Sequence, residues 1–204
     1  ASLLTSSGFG ASHLTVLEAL GGSRERVRSC RADRFDPGPV DDLNVVGIEV
    51  AASADARILP LTPGLRDGLF EHDGQITKRE IRALTLSTLA PRRGETLLDI
   101  GSGSGSIAIE WMLADPSLPA TAVEQDPVRA ARARANAAAC GVPGLAVLEG
   151  QAPAALRGLL SPDAIFVGGG LTDPGVADAA IALLKPGGRL VANTVTLESE
   201  TLLL

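Results

Sequence analysis

The stretch Leu97-Leu98-Asp99-Ile100-Gly101-Ser102-Gly103-Ser104-Gly105-Ser106 decides how this sequence is read. An apolar run runs straight into a glycine-rich turn, and the turn opens a helical stretch at residues 104–113. Glycine suits such a turn because the chain bends tightly and a ligand must approach the backbone with no Cβ in the way. Gly101, Gly103 and Gly105 are spaced GxGxG. That differs from the GxGxxG that seats a pyrophosphate on a helix N-terminus, and no GxxxxGK[ST] loop is present, so a nucleoside triphosphatase is not supported.

Outward from this turn the pattern alternates strand and helix. Strands are expected at residues 96–100, 120–124, 145–149, 164–167 and 189–195, and helices at 104–113, 127–140 and 175–184. Pro127 suits a first helical position behind Asp126 as cap, and Gly141 suits the stop. Thr77-Lys78-Arg79-Glu80 reads as a capping box with Thr77 as N-cap, opening a helix that runs to about Leu89, ahead of Pro91. Near-continuous apolar strands joined by helices predict an α/β fold with a mostly parallel, doubly wound sheet. The region before it is poorer in signal. A helix is expected at residues 12–20, with Ser12 as N-cap and Gly21 as its stop, and a strand at 43–50. Residues 1–55 bury too little surface to predict a separate stable domain. Residues 51–63 have the composition of a connector. The division expected is 1–55, a linker at 56–71, and a main domain at 72–204.

Composition narrows the function classes. Hydrophobic residues make up 45% of the chain and aromatic residues only 2%, with no Tyr, so the core must be aliphatic and a base-stacking platform is nearly ruled out. A net charge of −6 argues against a general nucleic-acid binder, which needs a basic face for phosphates. Cys30, Cys140, His13 and His72 are too scattered to make a metal site, so none is expected. No stretch is long and apolar enough to span a bilayer and no signal-peptide pattern is present, which reads as a cytoplasmic chain without membrane partners. The start at Ala1 and the apolar finish at Leu204 read as cuts from something longer.

The acidic strand end followed by GxGxG resembles motif I of the class I, Rossmann-like S-adenosylmethionine-dependent methyltransferases. In that resemblance the loop wraps the amino-acid end of the cofactor. Glu124, about 20 residues past the loop, then takes the ribose hydroxyls. Glu149-Gly150-Gln151-Ala152-Pro153 borders the adenine, and Asp163 to Gly170 ends beside the reaction centre. Lys185-Pro186-Gly187-Gly188 is a helix stop feeding a strand. His72-Asp73-Gly74-Gln75-Ile76-Thr77-Lys78-Arg79-Glu80-Ile81-Arg82, together with Asp99 to Glu110, resembles more narrowly the decarboxylating precorrin methyltransferases of cobalamin biosynthesis. The segment Gly8-Phe9-Gly10-Ala11-Ser12-His13-Leu14-Thr15-Val16-Leu17, with Glu25-Arg26 and Leu43-Asn44-Val45-Val46, resembles the end of a tetrapyrrole methylase domain. The chain thus looks like the carboxy-terminal half of a fusion, with a remnant of the first domain at 1–55 and no activity of its own there.

The resemblance implies S-adenosyl-L-methionine as cofactor. It places Thr77, Asp99, Gly101, Ser102, Gly103, Ser104, Gly105, Glu124, Gln125, Gln151 and Ala152 around it. It implies a precorrin substrate bearing several carboxylates, for which Lys78, Arg79 and Arg82 are the cationic candidates and Gly168 and Gly169 the wall. His72 and Glu110 are the acid–base candidates. A homo-oligomer, a tetramer among the options, is implied too. The sequence departs from its relatives at Gln151, where they usually carry an acid, and the usual last strands of a seven-stranded sheet do not appear before Leu204. The alternatives are a class I methyltransferase on RNA or protein, which the acidic charge and the lack of an Asn-Pro-Pro-Tyr-type motif disfavour, and a non-catalytic cofactor-binding fragment.

Overall fold

The computed structural model describes residues 1–194 and residue 201. The chain divides into two units, Ala1–Leu59 and Pro60–Leu204. Among the described residues, no helix is long and apolar enough to cross a membrane.

The first unit holds a short helix, α1 (Ser2–Ser6), and three antiparallel strands, β1 (His13–Glu18), β2 (Arg26–Arg31) and β3 (Asn44–Glu49), in the order β2-β1-β3. The helix expected at 12–20 is therefore a strand. Its burial alternates, with Leu14, Val16 and Glu18 buried, which is the period of a strand with one covered face. Gly21, at φ +77, lies in the turn leading into β2 rather than closing a helix. Ser12 caps nothing: its hydroxyl accepts from the Ala51 amide at 3.0 Å and donates to the Ala51 carbonyl. The strand expected at 43–50 is present as β3. Glu18 is buried on the face of Leu14 and Val16. Its carboxylate accepts from Arg26 at 2.7 and 2.9 Å, from Arg28 at 2.9 Å and from the Asp41 amide at 2.9 Å. The Arg26 guanidinium, then the Asp41 amide, hold its carboxyl down at about 2.

The second unit carries five parallel strands, β4 (Leu97–Ile100), β5 (Ala120–Glu124), β6 (Ala146–Glu149), β7 (Ala164–Val167) and β8 (Arg189–Ala192), in the order β6-β5-β4-β7-β8. Helices α2 (Arg79–Leu89), α3 (Ser106–Ala114) and α4 (Pro127–Ala139) pack on the sheet and on one another. On β4 and β7, alternate residues Leu98, Ile100, Ile165 and Val167 form a separate core with Val176 and Ala180 of α5 (Val176–Leu183). Helices thus cover both faces, as a doubly wound sheet requires. The buried apolar side chains of the strands are aliphatic, apart from Phe166. The expected 189–195 strand is β8 up to Ala192; Val195 lies outside the described residues, as does any edge strand after it.

Strand order reverses at β4, the first strand of the sheet, which has β5 on one side and β7 on the other. The crevice at the carboxyl ends of such a pair is where open α/β sheets bind ligands. The helix α4 starts as its sequence predicts: the Asp126 carboxylate accepts from the Val128 and Arg129 amides at 2.8 and 3.2 Å, with Pro127 in the first turn. The α2 start differs. The helix begins at Arg79 with Lys78 as cap and no side-chain capping bond, so Thr77 is not its N-cap. Thr77 is instead held through its carbonyl, which accepts from the Arg82 guanidinium.

Candidate functional site

At the end of β4 the chain turns back on itself through Gly101, whose amide bonds the Val123 carbonyl at 2.9 Å. Gly101 has φ +69, and a Cβ there would lie 2.8 Å from the Gly169 backbone. Two strand ends thus pack backbone against backbone, which only glycine permits. Gly103, at φ +57, has a different reason to be glycine: a Cβ there would meet nothing closer than the Gln75 carbonyl at 3.9 Å. It faces open space, a cavity of about 700 Å³.

Glu124, at the end of β5, is buried beside this turn. Its carboxylate accepts from the Gly103 amide at 2.8 Å and from the Asp126 amide at 3.0 Å. Each oxygen keeps a second lone pair for a ligand hydroxyl. The cavity is walled by the glycine turn (Gly101, Ser102, Gly103 and Ser104) and by Glu124 and Gln125. Gln151 and Ala152 follow β6, Gly168 and Gly169 follow β7, and Thr77 and Lys78, just before α2, line it as well. One tertiary crevice therefore gathers twelve of the residues singled out in the sequence.

Six others fall elsewhere. Asp99 sits beneath the turn, fully buried, with one oxygen accepting from the Ala108 amide at 3.3 Å and the other without a partner. Burial, together with the nearby Glu124 charge and against the pull of the Ala108 amide, raises its carboxyl to about 7. Gly105, at φ +76, packs α3 on α4, since its Cβ would meet that of Ala133 at 3.1 Å. Arg79 turns away to the Gly64 carbonyl at 2.9 Å.

Arg82 is not a substrate-facing cation. It is fully buried, bonded to Glu110 at 2.5 Å, to Asp67 at 3.1 Å and to the carbonyls of Thr77 and Leu65, and it stacks 5.0 Å over the Phe70 ring. Glu110 is likewise not an acid–base group of the cavity. It accepts from the amides of Gly64 and Leu65 at 2.6 and 3.0 Å and so docks the 64–65 segment onto α3. Both side chains are on the faces by which α2 and α3 pack together. His72 also lies outside the cavity wall; its Nδ1 accepts from the Gly74 amide at 3.0 Å and shapes a turn.

The cavity adds five polar residues that were not candidates in the sequence: Gln75 and Ser106, quoted there only within motifs, and Arg129, Asp173 and Asn193. Asn193 follows β8 and donates to the Thr85 hydroxyl at 3.1 Å. Asp173 belongs to the loop after Gly170, so reading the glycine run three residues further would have found it. Arg129 is hidden in the Ala- and Arg-rich face of α4, where nothing in the spacing marks it.

Residues 68–204 match the family model described as the precorrin methyltransferase domain. The chain belongs to the precorrin methyltransferase domain family. Its relatives agree. A Sinorhizobium sp. protein named precorrin-6Y C(5,15)-methyltransferase [decarboxylating] is 66% identical over 204 residues, 100% of this chain and 49% of that protein. The cobalt-precorrin-6B C(15)-methyltransferase (decarboxylating) of Salmonella typhimurium is 38% identical over 140 residues, 66% of this chain and 71% of that one. The crystal structure of the C-terminal domain of precorrin-6Y C5,15-methyltransferase from Rhodobacter capsulatus superposes with a TM-score of 0.67 at 48% identity, covering 71% of this chain and 78% of that one. This precorrin methyltransferase chain spans about half the length of the precorrin-6Y relatives it matches. The crevice just described falls within the matched residues.

Proposed function

We propose that this chain binds S-adenosyl-L-methionine in the cavity beside Glu124 and methylates a carbon of a precorrin, coupled to decarboxylation of a ring acetate, in cobalamin biosynthesis. The carrying observation is the Glu124 carboxylate bonded to the Gly103 amide at the wall of a cavity of about 700 Å³. That volume lies in the range of small-molecule sites, roughly 300–1,000 Å³. The fit supports the cofactor: an acceptor pair for two vicinal hydroxyls, a turn whose Gly103 leaves room for a ligand, and polar Gln125 and Gln151 on the adenine side.

In this reading Glu124 takes the ribose hydroxyls, and the turn from Gly101 to Gly105 borders the amino-acid end, with Asp99 supporting it from below through α3. Gln125, Gln151 and Ala152 border the adenine. Thr77 completes the lining from the segment before α2. Bound there, the cofactor supplies an already activated methyl group. The protein then has to align an acceptor carbon with it and keep water out, which orientation alone can accelerate strongly. The electrons left by loss of carbon dioxide pass into the substrate's own conjugated ring. Lys78, exposed at the cavity wall, is the cation that meets substrate carboxylates, with Gly168 and Gly169 giving a flat backbone surface for the macrocycle. Residues 1–55 we read as the remnant of a preceding tetrapyrrole methylase domain, without catalytic part in this reaction.

Calorimetric titration with S-adenosylhomocysteine tests the cofactor site, with NAD as comparison and Glu124→Ala as control. The expected result is micromolar binding weakened roughly 10- to 100-fold by the substitution, the worth of hydrogen bonds to a charged group, and no binding of NAD. A folded native chain that binds no S-adenosylhomocysteine would sink the reading. The substrate half is tested by the ultraviolet–visible change of a precorrin in the presence of the loaded enzyme, absent with RNA as acceptor.

A further inference from the structure

One wall of the cavity is not built on the sheet. Residues 71–78 form an irregular strap between the buried Phe70 and α2, and contribute Gln75, Ile76, Thr77 and Lys78 to the cavity wall, with the Gln75 carbonyl nearest Gly103 of the glycine turn. Without regular hydrogen bonding of its own, such a segment keeps its place only through side chains that fasten it.

Arg82 holds its end, through the Thr77 carbonyl; of the α4 residues that reach its start and middle, Asn136 and Arg129 make the hydrogen bonds, and they differ in kind. Asn136 is buried. Its carbonyl accepts from the Glu71 amide at 2.8 Å, and its amide nitrogen donates to the Glu71 carbonyl at 3.0 Å and to the Ser104 carbonyl of the glycine turn at 2.9 Å. It therefore fixes the start of the strap to the turn. Arg129, two turns earlier on the same helix, is about one-third exposed. Its Nε donates to the Asp73 carboxylate at 2.8 Å and its Nη2 to the Gln75 side-chain carbonyl at 2.8 Å. Arg132 reaches the same Asp73 carboxylate at 3.4 Å but makes no bond to Gln75. Asp73 and Gln75 are in turn locked together, since the Gln75 amide bonds the Asp73 carboxylate at 3.1 Å. Arg129 is also part of the cavity wall.

We infer that Arg129 is a positioning residue for the cofactor pocket: it holds the middle of the 71–78 strap, hinged at Asn136, against the bound ligand, and its release lets the ligand leave. This rests on the reading of the cavity as an S-adenosylmethionine site. The asymmetry of the two fastenings carries the argument. The buried, three-bond Asn136 contact is costly to break, because its polar groups would be left unpaired. The Arg129 pair, with both partners about one-third exposed, contributes less to folding stability and breaks more readily. A planar guanidinium can grip a carboxylate and an amide at once; an ammonium reaches one of them.

The test measures three quantities on the native chain, Arg129→Ala and Arg129→Lys: the dissociation rate of radiolabelled S-adenosylhomocysteine, its Kd by calorimetry, and the unfolding temperature. Losing one exposed ion pair and one hydrogen bond should speed dissociation by roughly 3- to 10-fold in Arg129→Ala. Kd should weaken by a similar factor, the unfolding temperature should not move, and Arg129→Lys should recover part of the loss. Unchanged dissociation in Arg129→Ala, with the native chain binding normally, would overturn the latch alone. A fall in unfolding temperature that tracks the loss of binding would overturn it too, by making Arg129 a support of the fold. No binding by the native chain would overturn the cofactor reading, and the latch with it.

Discussion

Asp99→Asn should change the pH dependence of stability in the Pro60–Leu204 unit. The Asp99 carboxyl is fully buried, with one oxygen unpartnered, and burial raises it from 3.8 to about 7. The sign follows from linkage. As pH rises from about 4, the unfolded chain ionises this group while the folded chain keeps it neutral, so stability falls until the folded group also ionises near 7, and is level above that. A rise of roughly 3 pH units at 1.36 kcal/mol each sets a ceiling of about 4 kcal/mol on the stability lost across the window. Asparagine has the same shape and does not titrate, and its carbonyl can still accept from the Ala108 amide. Its unpaired amide hydrogens cost stability equally at every pH. The variant's stability relative to native should therefore climb by up to about 4 kcal/mol between about pH 4 and pH 7, whatever its starting point. Trp111, the single tryptophan, is fully buried in α3, so its fluorescence in urea titrations reports this unit directly. Parallel stability curves for the two proteins across that window would refute a buried, neutral Asp99.

Two further predictions concern groups outside the cavity. Arg82→Met leaves Glu110 buried without its guanidinium and frees the carbonyls of Leu65 and Thr77, so it should destabilise the unit by about 3–5 kcal/mol, read by thermal unfolding of Trp111; a change below about 1 kcal/mol would show the network is dispensable. Glu18 is held at about 2, below its ordinary 4.5, so the stability it gives the first unit is present above 4.5 and lost as pH falls toward 2. Amide protection factors in β1 and β2, exchange rates taken relative to unstructured chain at the same pH, should fall over that acid window in the native chain and fall less in Glu18→Gln; equal profiles would count against the arginine clamp.

The parts of this protein legible in its sequence are those dictated by local chemistry. Leu97 to Ser106 predicts strand, turn and helix because glycines at that spacing are needed only where a strand end meets a ligand or another backbone. Asp126-Pro127 marks a helix start because a carboxylate and a fixed φ satisfy the first turn. Residues 12–20 read as a helix from their two ends, Ser12 as cap and Gly21 as stop, and that expectation fails: the segment is β1. Pairing with β2 and β3 settled it, and pairing is non-local.

The same division holds for the site. The sequence by itself determined the α/β class of the second unit, the order of that unit's five strands along the chain, and the glycine turn with its acidic partner Glu124, since each is written in a few adjacent residues. Only the tertiary structure decided which charges face the cavity. Lys78, Arg79 and Arg82 are equivalent as a basic cluster in the sequence, yet Lys78 lines the cavity, Arg79 binds Gly64, and Arg82 is buried against Glu110. Arg129, Asp173 and Asn193 come to the same crevice from a helix, a loop and a strand end. The physical reason is that a side chain's surroundings are set by the packing of elements far apart in the chain, which no run of neighbouring residues encodes.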